Sequence, residues 1–335
     1  MKRRRLILAA LLACAVSPGV FIRSELPPPN LDGPVSIRAI DFPRMDTGPF
    51  SLTGAWELDS ANNYFGGYSA LVPWGDDKLL AASDAGRLLV IPRPDLSDAA
   101  PAVRSFPGFA RADKMLADVE SLTIDRASGQ LWAGLEWSQM IARFRPDLSY
   151  DSNIRPLSMA DWGGNSGPES LTRLPDGRFL VIEERPLQDR PGTHEALLFP
   201  SDPLDGAEPL RFSVEGRVGF RPSDALALDD GRLLVLMRSF SFGIPPRFGT
   251  RIIIADTDRI EVGQMLRTRT LANFEDPLPT ENFEGMALVP DPQGGMALWL
   301  ISDDNKLRHQ RTLLLKLHWN DKAGNQGPER QKARE

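Results

Sequence analysis

Residues Asn282–Asn305 read "NFEGMALVPDPQGGMALWLISDDN". An acid, Glu284, opens a short apolar strand. A Pro/Gly-rich turn follows, and a second apolar strand stops at Asp303, Asp304 and Asn305. The pattern is a β-hairpin, and the chain carries it five times. "GGYSALVPWGDDKLLAASDAGRLLVI" starts at Gly66, "DVESLTIDRASGQLWAGLEWSQMIARF" at Asp118, "GPESLTRLPDGRFLVIEERP" at Gly167 and "RPSDALALDDGRLLVLMRSF" at Arg221. Aligned on the strand opening, Ser69, Glu120, Glu169, Asp224 and Glu284 correspond, with steps of 51, 49, 55 and 60 residues. After each hairpin comes a third apolar strand, among them "EALLF", "RIIIAD" and "TLLLKL". Weaker strands such as "NIRPLS" and "LRFSV" would be the fourth.

Hairpin repeats of about 50 residues predict an all-β fold, a single β-propeller. A βαβ arrangement needs amphipathic helices between the strands, and none is legible. A two-sheet sandwich needs no such period. Five blades are expected, or six if the N-terminal strands "VSIRAID" and "SLTGAWEL" form an irregular extra blade. Otherwise one of these strands supplies the outer strand of the last blade and closes the ring. The propeller spans residues 35–318.

Inner propeller strands run parallel around the axis, so their starts share one face. The second strand is antiparallel to the first and ends beside that start. Glu284 therefore meets Asp303, Asp304 and Asn305. Glu120 meets Glu136, Glu169 meets Glu183 and Glu184, Ser69 meets Asp84, and Asp224 meets Arg238. Carboxylates gathered at one mouth repel one another and take up protons unless a cation neutralises them. Hard cations such as calcium accept carboxylate and amide oxygens. The expected catalytic set is Glu120, Glu169, Asp224 and Arg238, and the expected calcium ligands are Glu284, Asp303, Asp304 and Asn305. A plain structural role competes with this reading: a carboxylate at a strand start also accepts free backbone N–H groups, and Arg238 or Lys306 can pair with it.

Other chemistries are poorly represented. The three histidines, His194, His309 and His318, lack metal-protease spacing. His194 falls in the segment "ERPLQDRPGTHEA", read as a rim loop, where it would be a general base or an ordinary loop residue. There is no G-x-S-x-G elbow, no P-loop and no dinucleotide-binding glycine signature, and nothing marks Ser166 or Ser170 as a nucleophile. Arg185, Arg190, Arg238, Arg247, Lys306 and Arg308 lie near the rim, either to hold an anionic substrate or to neutralise the acids. A net charge of −6 gives no electrostatic case for nucleic acid. The 28 glycines and 29 prolines suit a fold rich in turns.

"MKRRR" followed by "LILAALLACAVSPGV" reads as a secretory signal over residues 1–15, too short to span a bilayer comfortably. Ala13 and Ala15 form an A-x-A cleavage site. "LLAC" also resembles a lipobox, which would lipidate Cys14 and make that anchor the only membrane attachment. Cys14 is the sole cysteine, so the exported chain has no internal disulfide. Residues 16–34 read as an extended linker and 319–335 as a disordered tail. The expected location is the periplasm or the medium, as a monomer.

"FGGYSAL", "DVESLTID", "GPESLTRLPDGRFLVIEE", "LLVLMRSFS" with "RIIIAD", and "NFEGMALV…LWLISDDN" with "QRTLLLKL" together resemble the exported bacterial family called esterase-like activity of phytase. The resemblance spans roughly Leu52 to Leu317. It implies a secreted propeller that hydrolyses small-molecule esters or phosphate esters. The first blade departs from the acidic pattern at Ser69. The alternative is a non-catalytic propeller that binds a ligand or a cell-envelope partner through the same mouth, since no nucleophile is identifiable.

Overall fold

The structure, a computed structural model, describes residues 2–16, 30–107, 118–163, 166–243, 247–274, 278–307 and 310–320. Residues 2–16 form an α-helix, and among the described residues no helix is long and apolar enough to cross a membrane. Most of the expected linker and all but two residues of the expected tail lie outside the described residues.

Strands β1 (Val35–Ala39), β2 (Met45–Thr47) and β3 (Phe50–Ser60) come first. Blade I follows as β4 (Tyr68–Trp74), β5 (Lys78–Ser83), β6 (Arg87–Pro92) and β7 (Ala102–Ser105). Blade II is β8 (Val119–Ile124), β9 (Leu131–Leu135), β10 (Met140–Phe144) and β11 (Tyr150–Ile154). Blade III is β12 (Pro168–Arg173), β13 (Phe179–Leu187), β14 (Arg190–Phe199) and β15 (Leu210–Glu215). Blade IV is β16 (Arg221–Ala227), β17 (Arg232–Ser241) and β18 (Arg247–Asp256). The short β19 (Met265–Leu266) crosses back to pair with β15, and β20 (Arg269–Phe274) completes blade IV. Blade V combines β21 (Phe283–Pro290), β22 (Met296–Ser302) and β23 (Thr312–Trp319) with β3 and β1 from the N-terminus. The fold is a five-bladed propeller. The N-terminal strands belong to the last blade, with no sixth.

The blades hold together through five separate apolar cores, one at each junction. Phe106 and Phe144 stack at 4.4 Å between blades I and II, and Trp132 packs on Phe179 between II and III. Ile182 and Val235 belong to the core between III and IV. Leu236 and Leu300 meet between IV and V, and Leu79 and Trp299 between V and I. Strands buried on both faces read as continuous apolar runs, which is why "RLLVLM" and "ALWLIS" lack the alternation of a half-exposed strand.

Ring closure rests on three contacts between the chain ends. The first is the antiparallel pairing of β3 with β23, from Leu58 opposite Thr312 to Phe50 opposite Trp319. The second is Asp304. Its Oδ1 accepts the N–H of Gly67 at 3.0 Å and of Lys306 at 2.9 Å, and its Oδ2 accepts the Thr312 hydroxyl at 2.9 Å. Gly66, at φ +98°, leaves no room for a Cβ, which would fall 2.7 Å from Asp304 Oδ1. This contact couples the "FGG" and "SDDN" segments. The third is a buried ionic network. Lys316 lies 2.9 Å from Asp95 and 3.0 Å from Asp291, Arg93 bonds Asp95 at 2.9 Å, and His318 bonds Asp291 at 3.0 Å. Burial opposes ionisation of Asp95, yet Arg93 and Lys316 hold its carboxyl below the usual range.

These closure contacts predict two unequal losses in urea midpoint. Asp304→Ala orphans the Gly67 and Lys306 donors and should cost about 1–3 kcal/mol. Lys316→Met leaves Asp95 paired with Arg93 and Asp291 with His318, weakens the ionisation of both buried carboxylates and should cost more, about 2–4 kcal/mol. If both variants unfold with the wild-type midpoint, these contacts do not close the ring.

Candidate functional site

Every inner strand carries a β-bulge at the same place. The pairing register skips Ser69 in β4, Glu120 in β8, Glu169 in β12, Ser223 in β16 and Glu284 in β21. A bulge leaves one residue outside the ladder and re-aims its side chain. Four of the five, Ser69, Glu120, Glu169 and Glu284, line a cavity of about 820 Å³ at the channel mouth. The fifth, Ser223, instead donates to the backbone carbonyls of Phe283 and Leu236.

This register corrects the reading of blade IV. The residue equivalent to the three glutamates is Ser223, and Asp224 is one position on, facing the neighbouring inner strand. Its carboxylate accepts the N–H of Met286 in β21 at 2.7 Å and of Ala225 at 2.8 Å. It lines a smaller space of about 180 Å³ rather than the mouth. Burial raises its pKa well above the carboxylate range, against those two bonds.

A second ring comes from the far end of each second strand. The residue next to the bulge partner is Asp84, Glu136, Glu184, Arg238 and Asp303 in blades I to V, and all five line the cavity. The same backbone bond places three of them: Asp84 to Gly67, Glu136 to Asp118 and Asp303 to Asn282, at 2.8–3.0 Å. Asp118 and Arg221, just upstream of their bulges, also line it. The pairing of Glu120 with Glu136, Glu169 with Glu184 and Glu284 with Asp303 follows the expected hairpin geometry.

The two lining arginines are committed to one side. Arg238 lies 3.0 Å from Glu184 and 3.2 Å from Glu284, and Arg221 lies 2.9 Å from Glu184. Asn282 donates to Glu284 at 2.7 Å. Oxygens of Asp118, Glu120 and Glu136 all fall within 4.8 Å of one another, and a second trio, Glu136, Glu169 and the arginine-bound Glu184, is equally close. Burial, then neighbouring carboxylates, raise Glu120 and Glu169 well above the usual range. Burial and Asp118 push Glu136 up to about 7. Burial raises Glu284 too, although Arg238 opposes it, and raises Asp303, with Glu284 adding to the effect. Burial works against the charge on Arg238, but Glu284, Glu169, Glu184 and Glu120 outweigh it and hold the guanidinium charged.

Of the expected calcium ligands, Glu284, Asp303 and Asn305 line the cavity and Asp304 does not, being bonded into the closure of the ring. Glu284 is already bound by Arg238. The segment around His194 is a hairpin of β13 and β14, not a loop. His194 is buried within it, has its pKa lowered to about 4 by that burial, and does not line the mouth. Arg185 pairs with Glu183 at 3.2 Å and Arg190 with Asp189 at 3.6 Å. Arg308 and His309 lie outside the described residues.

A bladed ring with a carboxylate-lined mouth defines the class as a propeller with its site at one end of the central channel. The chain belongs to the phytase-like family described as esterase-like activity of phytase, whose sequence model matches residues 63–306. No curated protein matches this chain. Among solved structures, hydrazine synthase of Kuenenia stuttgartiensis shares 12% identity at a TM-score of 0.38, over 72% of this chain and 58% of that one. A hypothetical protein from Leishmania major shares 13% at 0.45, over 79% and 89%. A gluconolactonase from Xanthomonas campestris shares 13% at 0.40, over 84% and 100%. These likenesses are too distant to speak to chemistry.

The crowded carboxylates predict a pH-dependent penalty in chelated protein. A carboxyl raised in the fold ionises in the unfolded chain first, so stability falls as pH rises past the unfolded value of 4.5 and through the folded one. Glu169→Gln removes that loss and should stabilise the fold by on the order of 1 kcal/mol at pH 8. At pH 4 wild type and variant should melt together. A variant that melts lower than wild type at pH 8 would show that Glu169 is ionised and supported by its neighbours.

Proposed function

We propose that this chain is an exported, calcium-dependent hydrolase of small-molecule ester or phosphate-ester bonds, acting at the carboxylate mouth. The observation that carries the reading is the approach of Asp118, Glu120 and Glu136. Among the described residues no Lys or Arg pairs with Glu120 or Glu136. A donor set made wholly of carboxylate oxygens fits a hard divalent cation. Asp118, Glu120 and Glu136 would hold calcium, a shift from the expected set around Glu284. Bound there, calcium supplies polarisation of the substrate's carbonyl or phosphoryl oxygen and activation of water.

The chain's own residues supply the rest. Arg238, braced by Glu184 and Glu284, holds the substrate's developing oxyanion. Glu169, beside the cation set, carries the proton between the attacking water and the leaving oxygen. The water oxygen bonds to the acyl carbon or phosphorus, the bond to the leaving oxygen breaks, and that oxygen departs as the alcohol. The basic and apolar leader supports export of this activity, with a mature terminus at a lipidated Cys14 or after Ala15. A non-catalytic, ligand-binding propeller is the second reading. It is favoured by the positions of His194 and His318, neither of which lines the mouth.

Calcium added to chelated protein should raise stability by about 2.7 kcal/mol at a hundredfold excess over Kd, read by scanning calorimetry. Glu120→Gln should blunt that response. With calcium present, Arg238→Ala should lower turnover of p-nitrophenyl acetate by roughly 10²-fold, the scale of a lost oxyanion donor. A flat calcium response in wild type removes the cation. Full turnover in Arg238→Ala removes its catalytic role.

A further inference from the structure

The acids cover only part of the mouth. Above them stands an apolar wall that the ring of carboxylates does not need. Trp137, Pro186, Pro191, Phe220, Phe240 and Phe242 all line the same cavity. Its most exposed part stands at the end of the elongated hairpin of blade IV. Beyond Arg238, β17 and β18 stay paired through Ser239 opposite Gly249, Phe240 opposite Phe248 and Ser241 opposite Arg247. Phe240 packs against Phe248 at 5.4 Å and edge-on against Phe242 at 4.9 Å. Three of these side chains remain open to solvent: Trp137 at 46%, Phe240 at 47% and Phe242 at 95%. Aromatic rings beside a cavity and left uncovered are surface that a ligand would bury.

The charge of the lining sets the other half of the specificity. Eight carboxylates line the cavity, namely Asp84, Asp118, Glu120, Glu136, Glu169, Glu184, Glu284 and Asp303. Among the described residues, the only cationic side chains in that lining are Arg221 and Arg238, and both are paired with acids. One divalent ion would offset two of those charges and leave the mouth acidic. A polyphosphate would find both arginines already taken by acids and would have to enter beside the carboxylates that remain ionised. An uncharged ester meets no such barrier, and a flat apolar group on it finds the rings.

We infer that the site selects uncharged carboxylic esters bearing an aromatic ring and rejects phosphate-rich polyanions. The ring lies on the platform of Phe240 and Phe242, and the ester group reaches down to Arg238 and the carboxylates. This rests on the hydrolase reading of the same mouth and narrows its substrate class.

The test uses the full chain with calcium and four substrates: 2-naphthyl acetate, ethyl acetate, p-nitrophenyl phosphate and inositol hexakisphosphate. The naphthyl ester should be turned over and the hexakisphosphate should not. The Phe240→Ala/Phe242→Ala double variant should lower the naphthyl-to-ethyl ratio of kcat/KM by about tenfold, mainly through KM, as expected for lost aromatic contacts. Preference for either phosphate ester overturns the inference, and so does a ratio the double variant leaves unmoved. If no substrate is hydrolysed, the hydrolase reading fails, and binding of 2-naphthol decides the wall separately. Calorimetric affinity about tenfold weaker in the double variant supports the platform. Equal affinity overturns it.

Discussion

Everything at the mouth depends on closing the ring. A propeller whose first and last blades part has no channel, and its inner strands no longer face one another. Here the chain ends are joined by the β3–β23 ladder, and its work is shared by two side-chain contacts at opposite ends of the junction. Asp304 ties Gly67 and Thr312 on the mouth side. Lys316 ties Asp95 and Asp291 deeper in the same junction. Both use a charged group that burial would penalise if it were alone. The result is a closed circle of inner strands, four of whose five bulge residues line one opening.

Closure has an electrostatic consequence. Five equivalent bulge positions and five equivalent strand ends meet around one axis, so any acid favoured at one of them is brought up against the others. The chain relieves this unevenly. In blade IV the bulge is Ser223 and the strand end is Arg238, while blade I has Ser69. The guanidinium of Arg238 quiets Glu184 and Glu284. Asp118, Glu120 and Glu136 gather on blade II, and among the described residues no Lys or Arg forms an ion pair with Glu120 or Glu136. The asymmetry therefore puts both lining arginines beside Glu184 and Glu284. The apolar wall takes Trp137 from blade II, Pro186 and Pro191 from blade III, and its phenylalanines from blade IV.

The hairpin period made the fold readable, because each blade repeats the same apolar runs and turns. Most second-strand acids were placed next to their correct partners for the same reason. The finer site was harder to read. A bulge adds one residue without changing composition, so "RPSDALAL" offered both Ser223 and Asp224, and only the pairing register separates them. Asp303 and Asp304 are adjacent acids at a strand exit, and successive residues there point to different surroundings. One lines the cavity and the other bonds backbone across the junction. The segment from Pro186 to Thr193 resembled a loop because of its prolines and glycine, yet it pairs as a hairpin. The wall of Phe240 and Phe242 had no signal in the repeat, because the extension of β17 and β18 beyond the ring occurs in blade IV without a counterpart in blades I and II.

The central claim is that the closed ring brings Asp118, Glu120 and Glu136 together as a cation site. The most direct measurement is crystallographic: crystals of the full chain grown with calcium, with anomalous difference density recorded at a long wavelength. The account predicts a single strong peak about 2.3–2.6 Å from oxygens of all three carboxylates. A mouth with no anomalous peak there, its carboxyl oxygens close enough to share protons, would contradict it.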